Sequence, residues 1–291
     1  MKKKILFGIV SLCAAAALSF GVFALALPDK TEKSQPEASS KDVQEPVTTI
    51  SQMKMRVAND RSVTKSNMFY KMLNSVDYYQ TVSGSFKAPD LGVGDSTVEY
   101  RVDVMNQESY QRITDAGADE EQYVKDGMKT IYDNKARTYH QAGVPVYAED
   151  LQTLRSQSRI TEDEQGESHY QLRGDLTHTG IAASLSLLPQ QLAFAFLEDF
   201  DNWEIKGTET FLGREAVRIE GKADAYFNDK LSVERFVFLV DRDTGILLNY
   251  DGYAADGSLV DFMHTNSIAV DQPVNMDTTA RCAKYAGYTQ Q

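Results

Sequence analysis

The sequence is short of the residues that build most catalytic and metal centres. It has four histidines, His140, His169, His178 and His264, and their spacing fits no metal-ligand pattern. The motifs G-x-S-x-G, H-E-x-x-H, G-x-G-x-x-G and the P-loop are all absent. We therefore assign no catalytic residue, no metal ligand and no cofactor, and expect a protein that is not an enzyme. Cysteine is as sparse, with Cys13 and Cys282 alone. Cys13 falls in the N-terminal apolar run, which leaves one cysteine for the body and excludes an internal disulfide. The fold must be held by its core, and Cys282 is either unpaired or pairs between chains. Positive charge is scarce too: 30 Lys and Arg stand against 42 Asp and Glu, for a net charge of −12. With no basic stripe, the chain does not suit nucleic acid or charge-driven docking on an anionic bilayer.

What is present begins with an export segment. Lys2, Lys3 and Lys4 precede an uncharged run from Ile5 to Leu27. Two readings stay open: a signal peptide cleaved after Ala26, or an uncleaved anchor that contacts the membrane through residues 5–27. Either puts the body outside the cytoplasm, in the periplasm or on the outer face of the cell membrane. Cleavage removes three lysines and takes the charge to −12 − 3 = −15. Residues 28–60 read as a flexible tether rich in Pro, Ser, Glu and Lys. A single folded domain is expected at 61–276, and a C-terminal tail at 277–291.

Periodicity supplies the elements. SNMFYKMLNSVDYY, residues 66–79, reads as a helix with Phe69, Met72, Leu73, Val76 and Tyr79 on one stripe and Ser66 as its N-cap. Val98, Tyr100, Val102 and Val104 alternate as a strand, and Asp126-Gly127 joins two more in a hairpin. Residues 148–168 read as a helix followed by a charged loop. Residues 178–200 are apolar and of helical length, with Ala193, Phe196, Leu197 and Phe200 on one face and Pro189 in the first turn. Strands resume at Trp203 and continue as a meander to about Val270. Acidic runs such as Asp119-Glu120-Glu121 and Glu162-Asp163-Glu164 read as solvated loops.

Asp241, Asp243, Asp251 and Asp256 crowd into sixteen positions and pose the question of calcium. An EF-hand loop needs Gly at its sixth position and Glu at its twelfth. Counted from Asp241 these are Ile246 and Gly252, so the loop fails twice. Strand periods on either side, with Gly245 and Gly257, make these segments turns. The order helix, strands, apolar helical insertion, strands gives an α+β class: a curved antiparallel sheet, or half-open β-barrel, with helices covering the concave face. An insertion this apolar reads as a lid over an apolar cavity. Met68, Phe69, Met72, Leu187, Leu188, Phe194, Phe196 and Leu197 are the cavity candidates.

Three stretches resemble the LolA/LolB/RseB-like group of bacterial envelope proteins: MFYKMLNSVDYYQTVSGSF, QYVKDGMKTIYDNKARTY, and GTETFLGREAVRIEG with RFVFLVDRDTGILLNYDGYAADGSLV. They span roughly residues 66–275 and mark turns and strands, not chemistry. The resemblance implies a half-open barrel with an apolar cavity. It also implies an apolar ligand, such as an acyl chain, or a lipoprotein as partner. The alternative it implies is an RseB-like regulator that binds a membrane anti-sigma factor in envelope-stress signalling.

Overall fold

A computed structural model of the chain describes residues 62–89, 94–147, 160–162, 168–170, 174–223, 228, 230–276 and 285–291. The leader and tether at 1–60, the cleavage point after Ala26, Cys13, Cys282 and the helix expected from 148 onward lie outside the described residues.

Helix α1 spans Lys65–Leu73. Its N-cap is Thr64, whose hydroxyl accepts the Asn67 N–H at 3.2 Å, and not Ser66. Thr64 is the last residue with extended backbone, which is what a cap requires; Ser66 is already helical. The helix is also shorter than its apolar stripe. Asn74 stops it by returning its backbone N–H to Tyr70 and Lys71 and its amide to the Tyr70 carbonyl at 2.8 Å. Val76, in a single 3-10 turn at Ser75–Asp77, and Tyr79 are still buried.

Six strands follow in an antiparallel run: β1 Thr81–Pro89, β2 Asp95–Asp103, β3 Glu108–Thr114, β4 Asp119–Lys125, β5 Met128–Asp133 and β6 Thr138–Gly143. Asp126 and Gly127 join β4 to β5 with φ of 52° and 71°, both positive as a tight hairpin of this hand requires. Two short strands pair with each other, β7 Ile160–Glu162 within the stretch read as a charged loop and β8 Ser168–Tyr170 at its end. The apolar insertion is two helices, α2 Ile181–Leu187 and α3 Gln190–Leu197. Pro189 separates them: it has no N–H to continue α2, and it holds Leu188 out of the helical region. The chain then returns as β9 Trp203–Phe211, β10 Arg214–Lys222, β11 Arg235–Asp241, β12 Leu247–Tyr253 and β13 Leu259–Val270, with β14 Thr289–Gln290 last.

Twelve strands make one open sheet in the order β14-β6-β5-β4-β3-β2-β1-β13-β12-β11-β10-β9. All neighbours are antiparallel except β14 on β6. The central pair β1–β13 joins the first half of the chain to the last, so the helical insertion lies across a sheet that its own flanking strands complete. Val82 and Phe86 of β1, Val98 and Val102 of β2, Phe236 and Phe238 of β11, Tyr250 of β12 and Met263 of β13 form the sheet side of one core, and α1, α2 and α3 close it. This curved α+β sheet under a layer of helices is the architecture that the sequence resemblance implies.

Candidate functional site

The helical insertion is pinned to the sheet and to the end of α1 at three places. At its entry, Ser109 donates to the Thr177 carbonyl at 2.7 Å, Gln122 donates to the His178 carbonyl at 2.8 Å, and the Gln111 amide oxygen accepts the Ala183 N–H at 2.7 Å. These buried side chains sit on β3 and β4 where an apolar residue would leave the incoming backbone unsatisfied. At the break between the helices, Ser75 donates to Leu187 O at 2.5 Å, Ser186 to Leu247 O at 2.8 Å and Gln190 to Leu73 O at 2.8 Å. At the exit, the Trp203 indole N–H donates to Leu197 O at 3.0 Å. Between the last two places α3 meets the core through Leu192, Ala193, Phe196 and Leu197. None of the polar anchors was recognised in the sequence, since Ser and Gln on a strand carry no signal of what backbone they will meet.

The structure brings all eight cavity candidates into one cluster. Met68, Met72 and Leu197 are 0% exposed, and Phe69, Leu187 and Phe196 are nearly so. Phe196 meets the rings of Phe236, Phe238 and Tyr250 at 4.9, 5.6 and 5.8 Å. Phe194, two residues away, points to the rim and sets its ring edge-on to Phe69 at 5.8 Å, while Leu188 is likewise half-buried. Phe69 also meets Phe200, and Phe200 meets Trp203, so an aromatic chain links α1 to the exit of the insertion.

One carboxyl lies at the far side of this layer. Asp261 of β13 is 4% exposed and stands opposite Gly252. The Tyr250 hydroxyl donates to it at 3.2 Å and the Phe262 N–H at 2.9 Å. Burial pushes the Asp261 carboxyl up to about 7, against the pull of those two donors. Burial, reinforced by the charge of Asp261, likewise pushes the Tyr250 phenol well above its ordinary range.

Three of the four clustered aspartates have separate tasks. Asp241 accepts the N–H groups of Asp243 and Thr244 and the Thr244 hydroxyl, and it pairs with Arg214. Asp251 meets His264 at 2.6 Å, and Asp256 accepts the Ser258 N–H and hydroxyl. They close turns and neutralise neighbours, and they do not converge on a point. The acidic run Asp119-Glu120-Glu121 is not a loop. It opens β4, and Glu121 is 1% exposed, because alternation along the strand turns it onto a face that other residues cover.

No protein-family profile and no curated protein matches the chain. Among solved structures, the Pseudomonas aeruginosa MucA/MucB complex is 17% identical, covers 74% of this chain and 59% of that one, and has a TM-score of 0.40. The Mycobacterium tuberculosis lipoprotein LppX is 12% identical, with 72% and 97% coverage and a TM-score of 0.38. An uncharacterised Thermus thermophilus protein is 5% identical, with 78% and 99% coverage and a TM-score of 0.40.

Proposed function

We propose that this is an exported, non-enzymatic binding protein of the cell envelope that holds an acyl chain or a lipidated partner beneath α3. One observation carries the reading. Among the described residues, hydrogen bonds hold the insertion at its entry, its break and its exit, and between the last two of these α3 packs on the core through Leu192, Ala193, Phe196 and Leu197. Lifting α3 exchanges apolar contact for apolar contact when an acyl chain enters, and the anchors at its ends stay in place. Phe194 and Leu188 stand at the rim where such a chain would start, and Phe196 and Leu197 lie further in. Asp261 and Tyr250 supply a polar group at the inner end. The alternative is an RseB-like regulator of a membrane anti-sigma factor, which needs a protein-docking surface in place of an opening core.

The test is titration of the full chain with a fluorescent long-chain fatty acid, with native mass spectrometry of protein taken from its own envelope. The reading expects saturable uptake, displaced by unlabelled fatty acid, and bound lipid in the spectrum. Absence of both would sink it in favour of the regulatory alternative.

A further inference from the structure

Ser109 and Gln111 of β3 reach the helical insertion, so Tyr110 between them faces the other way. On that outer face four strands in succession present Tyr110, Tyr123, Tyr132 and Tyr139. Neighbouring rings lie 4.9, 6.0 and 5.7 Å apart. Glu121 stands opposite Tyr132 within this row and is 1% exposed. It accepts the Tyr123 hydroxyl at 2.8 Å and the Asn134 amide at 2.9 Å, with Arg112 at 3.8 Å. A carboxylate buried among aromatic rings needs strong donors around it. A further donor arrives from the far end of the sequence: the Tyr285 hydroxyl, at 2.5 Å.

Residues 285–291 fill this groove. The Tyr285 ring stacks on Tyr132 at 3.8 Å and 14° and sets itself edge-on to Tyr123. The Tyr288 hydroxyl donates to Asn134 at 3.1 Å, with the Arg137 guanidinium 5.6 Å from its ring. The chain then joins the edge of the sheet as a parallel strand: Thr289 N–H donates to Arg137 O at 3.0 Å and Gln291 N–H to Tyr139 O at 2.9 Å. The main-chain hold on the described part of this segment is short. The ladder has two residue pairs, and Tyr285 is the one buried residue of the seven. Segments that bury so little open independently of the sheet beneath them.

We infer that this outer groove is a strand-docking surface for an extended segment of a partner protein that carries tyrosines at positions i and i+3, with residues 285–291 occupying it in cis. The mode is strand addition: main-chain bonds to β6 give the hold and the side-chain sites give the choice. The first tyrosine is read twice, by the stack on Tyr132 and by the hydroxyl on Glu121. Phenylalanine there would keep the stack and take one donor from a buried carboxylate. The second tyrosine is read by Asn134 and Arg137. A tethered occupant has an effective concentration of millimolar order, so docking is gated by release of 285–291. This inference does not rest on the acyl reading, since the two sites lie on opposite faces of the sheet.

The experiment uses the full chain and a fluorescently labelled peptide of sequence YAGYTQQ. In the Tyr285→Ala/Tyr288→Ala double variant the groove is vacated, and the peptide should bind at least ten-fold more tightly than to the unmodified protein. A peptide with phenylalanine at its first position should bind several-fold more weakly. Equal binding to both proteins, or binding indifferent to the peptide's tyrosines, overturns the inference. Hydrogen exchange on the unmodified chain needs no variant to fold. It should show residues 285–291 exchanging at least ten-fold faster than β4 and β5. Exchange of 285–291 in step with the whole sheet overturns the inference. So does a concentration-dependent dimer that is lost in Tyr285→Phe while the peptide fails to bind, since the groove would then be an interface between copies.

Discussion

Asp261 makes the stability of this protein depend on pH in the direction opposite to that of a salt-bridged carboxylate. Its folded-state carboxyl titrates at about 7 and its ordinary value is 3.8. A group whose pKa is raised by folding holds its proton more tightly in the native state. Its contribution is therefore fully present below about pH 4 and is lost as pH rises through 7. Each pKa unit is worth about 1.4 kcal/mol, so the whole loss is on the order of 4 kcal/mol. That is a large share of the roughly 5–15 kcal/mol that a domain has. Asp261→Asn removes the titration and keeps the shape. Its amide oxygen can accept the Phe262 N–H, and its amide nitrogen can donate to the Tyr250 oxygen. Urea unfolding of both proteins at a series of pH values from 4 to 8 reads the difference directly. The two should be close at pH 4, and the variant should gain on the parent by about 1.4 kcal/mol per pH unit until near pH 7. A stability difference that stays flat across this range, or a parent that gains on the variant as pH rises, would refute the assignment of Asp261 as a carboxyl buried in its neutral form.

Phe196→Ala should cost about 3–5 kcal/mol, as expected for a buried phenylalanine against three rings, whereas Phe194→Ala should cost less and instead alter uptake of the fluorescent fatty acid. Thermal melts and probe titrations of both variants check this, and heavy destabilisation by both without change in uptake would mean that α3 is core alone. Asp241→Ala should cost about 3–5 kcal/mol, because it strands Arg214 and frees three turn donors, while calorimetry with calcium should show no site in the parent. Gly245 has φ of 76°, and a Cβ there would come within 2.4 Å of the Lys71 carbonyl. Gly245→Ala should therefore cost more than the roughly 1–2 kcal/mol of a left-handed residue, read as a drop in melting temperature.

The local pattern of the chain determined a good deal of this protein. Period-two alternation in 98–104 and 235–253 placed strands, the Asp126-Gly127 pair placed a hairpin, and the apolar spacing of 193–200 placed a helix. Each of these rests on interactions within a few residues, so the sequence alone could specify them. It also put Phe69, Met72, Leu73, Val76 and Tyr79 on one stripe, and all five are buried, because an apolar stripe is buried wherever a core forms. It could not say which helix faces would meet. Phe194 and Phe196 look alike in the sequence, and the angle at which α3 lies on the sheet sends one to the rim and the other to Phe236 and Phe238.

Polar and charged residues were decided by tertiary structure. Glu121 sits in an acidic run that reads as solvated, yet it is buried and accepts the hydroxyl of Tyr285, 164 positions along the chain. Asp261 resembles any aspartate near a turn until β12 lays Tyr250 beside it. Ser109, Gln111 and Gln122 became anchors only when the backbone of residues 177–183 arrived above them. Apolar side chains declare their environment through periodicity, because water drives them all the same way. A polar side chain can be satisfied by solvent or by one distant partner, and only the folded chain chooses between them.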